Sequence, residues 1–339
     1  MPPRLVGASL HPPARRLAAV SASHGTKAVV AAFFANTGIA ITKFIAWFFS
    51  GSASMLAEAI HSVADAGNQL LLLLGGRLAK KKATPEHPFG YGRERYIWAF
   101  IVALVLFSVG GLFSIYEGIN KLQHPHELDV PWLPLTVLAI AIVLESFSIR
   151  VAIKEANAVR GKAGWWDFIR KAKSPELPVI LLEDLAALLG LVFAFIAVGL
   201  TVLTGNPLFD ALGTLCIGAL LIVVAVVLAI EMKSLLLGEG ATREDHERIQ
   251  RILNAHTGVE SLIHMKTLYL GPDELMVAAK VAFPPQSDIE HVARTINDLE
   301  SELRDQVPHA RVIYIEPDLY VEQPETAPST DHIVIQSGN

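Results

Sequence analysis

Residues 57–69 read AEAIHSVADAGNQ. Within a run otherwise built of small and apolar residues, Glu58, His61, Asp65 and Asn68 are spaced by three, four and three. On a helix that spacing puts all four on one face. His61 and Asp65 form an i, i+4 pair, near enough to hold one ion between them. A second acidic group comes later, in PELPVILLEDLAALLGLVFAF, where Glu183 and Asp184 fall roughly two turns into an apolar helix. Two helices then offer an imidazole and two or three carboxylates at one level. A small divalent cation asks for about four such nitrogen and oxygen donors, and no other ligand explains the set as simply. Adjacent helical residues point about 100° apart, so Glu183 and Asp184 are not expected to bind equally well.

Ionisable residues in apolar helices also have an ordinary reading. A lone carboxylate near a helix end snorkels or caps, which is the expectation for Glu117, Asp210 and Glu231. Lys43 is expected to pair with an acid inside the bundle. For His61 and Asp65, two polar groups at ligand spacing weigh against that reading.

The elements that position these residues follow from hydropathy. Of 339 residues, 52% are hydrophobic, and the mean hydropathy is +0.43, too apolar for an ordinary soluble protein. A membrane-spanning helix needs about 20 mostly apolar residues. Six candidates meet this, near 28–49, 53–76, 96–120, 132–153, 179–203 and 208–232. Gly51-Ser52 and Gly205-Asn206-Pro207 break neighbouring pairs. The loops after the second and fourth spans are rich in Lys and Arg, and the opposite loops nearly lack them. By the positive-inside rule both termini are expected on the cytoplasmic side. The single cysteine, Cys216, excludes an internal disulfide and a cysteine metal cluster, and a small buried role is expected for it. A net charge of −5 without a basic, aromatic-laced stripe gives no sign of a nucleic-acid partner.

The expected organisation is a flexible leader at 1–26, a six-helix transmembrane domain at 27–237, a small α/β domain at 238–321 and a disordered tail at 322–339. In the α/β part, TREDHERIQRILNAH begins a helix and two strands meet at Gly271-Pro272. Ile289, Val292, Ile296, Leu299 and Leu303 line one face of a second helix, and RVIYIEP is the last strand. The order αββαβ suggests a ferredoxin-like open sheet with helices on one side. No phosphate loop, nucleophile–base pairing or ATP motif suggests an enzyme.

The six spans, the α/β tail and the runs SGSASMLAEAIHSVADAGNQ, HPFGYGRERYIWAF and IYEGINKL resemble the cation diffusion facilitators, a family of divalent-metal/proton antiporters. The resemblance covers roughly 27–318 and implies a transport site in which His61 and Asp65 stand at the second-span ligand positions and Asp184 at a fifth-span one. The family's fifth-span His falls here on Ile180, a departure similar to the zinc transporter 9 branch, which leaves Glu183 as the natural fourth ligand and Asn68 or water as the substitute. A loop metal site looks weakened, with Thr84 and Tyr91 at ligand positions and Glu86 and His87 remaining. In the tail, His264 stays while Lys280 and Ile315 replace typical ligands. The tail is expected to dimerise even without metal.

The resemblance implies exchange of a divalent metal for protons across the membrane, exporting it from the cytoplasm. Neutral imidazole binds metal and imidazolium does not, so protons and metal compete at His61. Zinc is the first expectation, and manganese or iron(II) suits a carboxylate-rich site too. The metal is cargo, and no resident cofactor is expected. A carrier of another cation, or a non-transporting scaffold dimerising through its tail, is the alternative. Without a transit-like leader, the cell inner membrane is the expected location.

Overall fold

The computed structural model describes residues 29–45, 48, 53–124 and 132–320, with the side chains of 53–61 and 133 outside the description. The expected leader and disordered tail lie outside the described residues. The chain divides into two compact units: Met1–Thr242 with Leu268–Leu275, and Arg243–Thr267 with Met276–Asn339.

The first unit is helical. Its elements are α1 (Val29–Ile45), α2 (Ala53–Leu78), α3 (Glu94–Val105), the π-helical segment π1 (Leu106–Leu112) and α4 (Phe113–Gln123). They are followed by α5 (Trp132–Arg160), the short α6 (Trp165–Lys171), α7 (Glu176–Thr204) and α8 (Leu208–Leu237). Four stretches are each long and apolar enough to cross a membrane: Glu94–Gln123, Pro134–Arg160, Glu176–Thr204 and Leu208–Leu237. The shorter apolar α1 and the 26-residue α2 stand where the first two spans are expected.

The burial pattern of this unit is that of a bundle in lipid. Large apolar side chains such as Phe34, Leu203, Val223 and Ile230 are exposed, while Lys43, Glu145, Glu183 and Asp184 are buried. In water this would be a costly inversion; in a bilayer the apolar rim is solvated by lipid and the polar groups face inward. Cys216 lies on the exposed side, which corrects the expectation that it is buried. Lipid contact makes burial inside the bundle unnecessary for an apolar side chain.

Helices approach closely where glycines leave room. A Cβ on Gly218 of α8 would lie 2.9 Å from the backbone nitrogen and side chain of Ile115 in α4. One on Gly118 of α4 would lie 2.7 Å from Leu215 of α8. Small residues at such crossings let backbones pack where no hydrophobic force drives helices together. The break between α7 and α8 is set by Gly205, whose φ of 69° is the left-handed conformation that closes a helix.

The C-terminal elements follow the expected αββαβ order: α9 (Arg243–Ala255), β1 (Ser261–Gly271), β2 (Glu274–Ala282), α10 (Ile289–Gln306) and β3 (Ala310–Asp318), of which Leu268–Leu275 group with the first unit and the rest form the second. The sheet runs β1-β2-β3. The Glu260 N–H donates to the Ala282 carbonyl, so the first two strands are antiparallel. The Phe283 N–H donates to the Asp318 carbonyl, which joins the ends of β2 and β3 and makes that pair parallel, with α10 as the crossover. Val277, Ala279 and Val281 alternate into the core of β2, as a period of two requires. Ile249 and Leu253 of α9 and Leu299 and Leu303 of α10 are buried as well.

One residue of the expected apolar face departs. Ile289 is 83% exposed, because it is the first residue after the Asp288 cap, whose carboxylate accepts the His291 N–H at 2.7 Å. The face that packs is made by Thr295, Leu299 and Leu303.

Candidate metal centre

On α2 the apolar background is interrupted by Ser62, Asp65, Asn68 and Gln69, which share one face at spacings of three and four. Ser62, Asn68 and Gln69 are buried and Asp65 is half-buried. On α1, Asn36 and Lys43 are two turns apart and both buried. On α5, Glu145 and Ser148 are one turn apart and both buried. On α7, Glu183 and Asp184 are buried as well. Backbone hydrogen bonds within each helix leave only side chains to join these helices, and they do so as a polar layer.

The bonds of that layer are specific. Asn68 Nδ2 donates to Glu183 Oε1 at 2.8 Å, and Gln69 Nε2 donates to Glu183 Oε2 at 3.0 Å. Asn36 Nδ2 donates to Gln69 Oε1 at 3.3 Å, extending the chain to α1. Ser148 Oγ donates to Asp184 Oδ2 at 2.7 Å. The two adjacent carboxylates of α7 therefore diverge, Glu183 towards α2 and Asp184 towards α5, as a 100° step per residue dictates. Lys43 Nζ donates to Ser62 Oγ at 2.9 Å.

A cavity of about 60 Å³ opens beside this layer. Its polar lining is Asn36, Lys43, Ser62, Asp65 and Glu145, and the rest is apolar surface from α1, α7 and α8. Three buried oxygens of the layer have no hydrogen-bond partner among the described residues: Asn68 Oδ1, Glu145 Oε1 and Asp184 Oδ1. Buried acceptors are nearly always paired, so three orphans in one layer mark it as a candidate binding site. Among the described residues, Asp65 and Glu145 line the cavity with Lys43, and the carboxylates of Glu183 and Asp184 stand in the hydrogen-bonded layer beside it. Such a layer suits cations.

Of the residues predicted for the site, Asp65 faces the cavity, and Glu183 and Asp184 stand beside it in the hydrogen-bonded layer. The side chains of His61 and Glu58 lie outside the described residues, although both positions fall on α2. Among the described residues no three His, Cys, Asp or Glu side chains converge as a ligand set. Asn68 offers its Oδ1 to the layer. Glu86 and His87 are exposed. His87 closes a turn with Thr84, its backbone N–H donating to the Thr84 carbonyl at 3.0 Å, and its ring packs edge-on to Tyr91 at 4.7 Å. Of the ordinary readings, Asp210 pairs with Lys121 at 2.9 Å and Glu231 with Arg170 at 3.6 Å.

Sequence reasoning missed Glu145, Ser148, Asn36 and Gln69. For Glu145 the signal was present, since any ionisable residue inside a span is a functional candidate. The others are small amides and hydroxyls with no spacing of their own to reveal them.

In the C-terminal unit, Lys280 is ion-paired. Lys280 Nζ sits 2.9 Å from Glu316 Oε1 and 3.0 Å from Asp318 Oδ2, so an ammonium is held by the carboxylates at the end of β3.

Comparison with known proteins agrees with this architecture. Residues 29–237 match the cation efflux transmembrane domain, and residues 241–318 match the cytoplasmic domain of cation efflux proteins. The chain is 36% identical over 259 residues to the proton-coupled zinc antiporter SLC30A9, mitochondrial, of Mus musculus, covering 76% of this chain and 46% of that protein. It is 29% identical to metal tolerance protein C4 of Arabidopsis thaliana, over 80% of this chain and 60% of that one. It is 25% identical to the cation-efflux pump FieF of Pectobacterium atrosepticum, over 86% of this chain and 93% of the pump. The chain thus spans about half the length of the SLC30A9 proteins it matches. The expectation of a cell inner membrane is corrected by these relatives, since the SLC30A9 proteins are named as mitochondrial. That expectation rested on reading no transit-like pattern in residues 1–26. With both units matched in order along one chain, and a buried carboxylate layer in the first, the protein belongs to the cation efflux family, the cation diffusion facilitators.

Proposed function

We propose that this chain is a divalent-cation/proton antiporter whose first cargo is zinc, moving the ion away from the compartment that holds the α/β unit. The observation that carries this is the buried layer of carboxylates joining α2, α5 and α7, with orphaned oxygens on three helices. His61, Asp65 and Asp184 are the cargo ligands, with Asn68 Oδ1 as the substitute fourth donor. Glu183 has both oxygens engaged by amides, so its role is to fix α2 against α7. Proton coupling follows from competition: a carboxylate or imidazole that holds a proton gives up a lone pair the metal needs. The metal is cargo, and the cycle requires no resident cofactor. The names of the antiporter relatives support this activity, and the mitochondrial ones support an inner mitochondrial membrane. The family's cytoplasmic domain supports a homodimer.

The test is zinc uptake into proteoliposomes under an opposing proton gradient. Wild type is expected to take up zinc and release protons. His61→Ala and Asp184→Asn are each expected to lower uptake by about 100-fold, at or beyond the effect of losing a metal's outer-shell partner. Uptake by both variants at wild-type rate would refute the ligand assignment. The oxygen donors that Asp65, Glu145, Ser62 and Asn36 bring to the cavity favour a second reading, manganese as cargo, because hard oxygen donors suit it. Uptake of manganese in preference to zinc would establish that reading.

A further inference from the structure

Glu145 has no place in the ligand set drawn from α2 and α7, yet its surroundings are those of a binding group. Its side chain is 2% exposed and lines the cavity together with Asp65, Lys43, Ser62 and Asn36. Oε1 has no hydrogen-bond partner among the described residues. The contrast with Glu183 is direct, since that carboxylate, equally buried, accepts an amide bond on each oxygen. An orphaned carboxylate oxygen deep in a membrane bundle is expensive, and it persists where a cation restores the balance.

The helix that carries Glu145 is already tied to the acidic pair of α7. Ser148, one turn further along α5, donates to Asp184 at 2.7 Å. A cation entering the cavity thus meets α2 through Asp65 and α5 through Glu145, next to the Ser148–Asp184 contact. The cavity, about 60 Å³, has room for roughly four to six waters at about 10–15 Å³ each, enough for a divalent ion that keeps part of its hydration.

We propose that Glu145 is a cargo-binding carboxylate, the donor from α5 that receives the divalent cation in this cavity together with Asp65. The proposal rests on the antiporter reading above. It adds a third helix to the cargo path and gives the site an oxygen donor that neither the second-span nor the fifth-span pattern contains.

The experiment uses the full-length chain in detergent with cobalt(II) as probe, because its visible absorption reports the donor set directly, and with zinc as competitor. Wild type, Glu145→Gln, Glu145→Asp and Asp65→Asn are compared, each checked for an unchanged elution volume and melting transition. Glu145→Gln keeps the shape and removes the charge. It is expected to weaken cobalt binding by at least about tenfold and to alter the absorption band at saturation, while Glu145→Asp recovers part of the affinity. Wild-type affinity and an unaltered band in Glu145→Gln, with binding lost in Asp65→Asn, overturn the proposal and leave the antiporter reading standing. Weakened binding with an unaltered band at saturation overturns it too, since Glu145 would then only position other donors. If the wild-type chain binds neither cobalt nor zinc, the antiporter reading itself falls, and the proposal with it.

Discussion

Glu183 links α7 to α2 through two hydrogen bonds, from Asn68 and Gln69. Glu183→Gln replaces one acceptor oxygen with an NH₂ group that must face another NH₂. One buried donor is left unpaired, at a cost of about 1–3 kcal/mol. Chemical denaturation of the detergent-solubilised chain is expected to show that loss, and an unchanged midpoint would show that the amides find other acceptors. At this scale the sequence was legible where chemistry and spacing coincide. Of the i, i+4 pair His61 and Asp65, the described side chains place Asp65 at the cavity, and Glu183 with Asp184 declare themselves by a carboxylate pair in an apolar helix. Glu145 has no such neighbour, because the groups that give it meaning lie on other helices. Ser148 meets a residue 36 positions away and Asn68 one 115 positions away, separations that no local pattern encodes.

At the scale of elements, packing between membrane helices depends on what is missing from their surfaces. Gly218 and Gly118 let α8 and α4 cross with side chains of one against backbone of the other. Gly218→Ala places a methyl 2.9 Å from the Ile115 backbone nitrogen, which is not free to rotate away. Overpacking of this kind costs about 1–3 kcal/mol. A Cβ on Gly199 of α7 would meet nothing within 4 Å among the described residues, so Gly199→Ala is expected to be neutral or to stabilise by up to about 1 kcal/mol through helix propensity. Thermal unfolding of the two variants side by side checks the contrast; equal effects would mean that the α4–α8 crossing relaxes freely. The apolar spans and the strands of the second unit were legible because hydrophobic runs and alternation are local signals. The π-helical segment Leu106–Leu112 and the short α6 between two spans were not. The first depends on how a widened helical turn fits against a neighbouring helix, and the second is too short for a period to show.

Over the whole molecule, charge is arranged so that the membrane layer is acidic and the C-terminal unit holds an ammonium between two carboxylates. Lys280 joins Glu316 and Asp318. Hydrogen bonds to Glu316 and then Asp318 raise the Lys280 ammonium above its ordinary value. The bond from Lys280, with that from the Leu319 N–H, lowers Asp318 below its own. A raised lysine contributes at all pH values below its ordinary one and is lost only as the pH rises through the raised value. A lowered carboxylate contributes above its ordinary range and is lost as the pH falls through the lowered value. The contact is therefore at full strength from about pH 5 to about pH 9 and fades below about pH 4. Lys280→Met is expected to lower the melting temperature of the C-terminal unit by the same small amount across that plateau, and the difference from wild type is expected to shrink in acid. The tail is expected to dimerise without metal, so EDTA is expected to leave the oligomeric state of the purified chain unchanged, as read by sedimentation. Dissociation by EDTA alone would mean that a bound metal is needed for assembly.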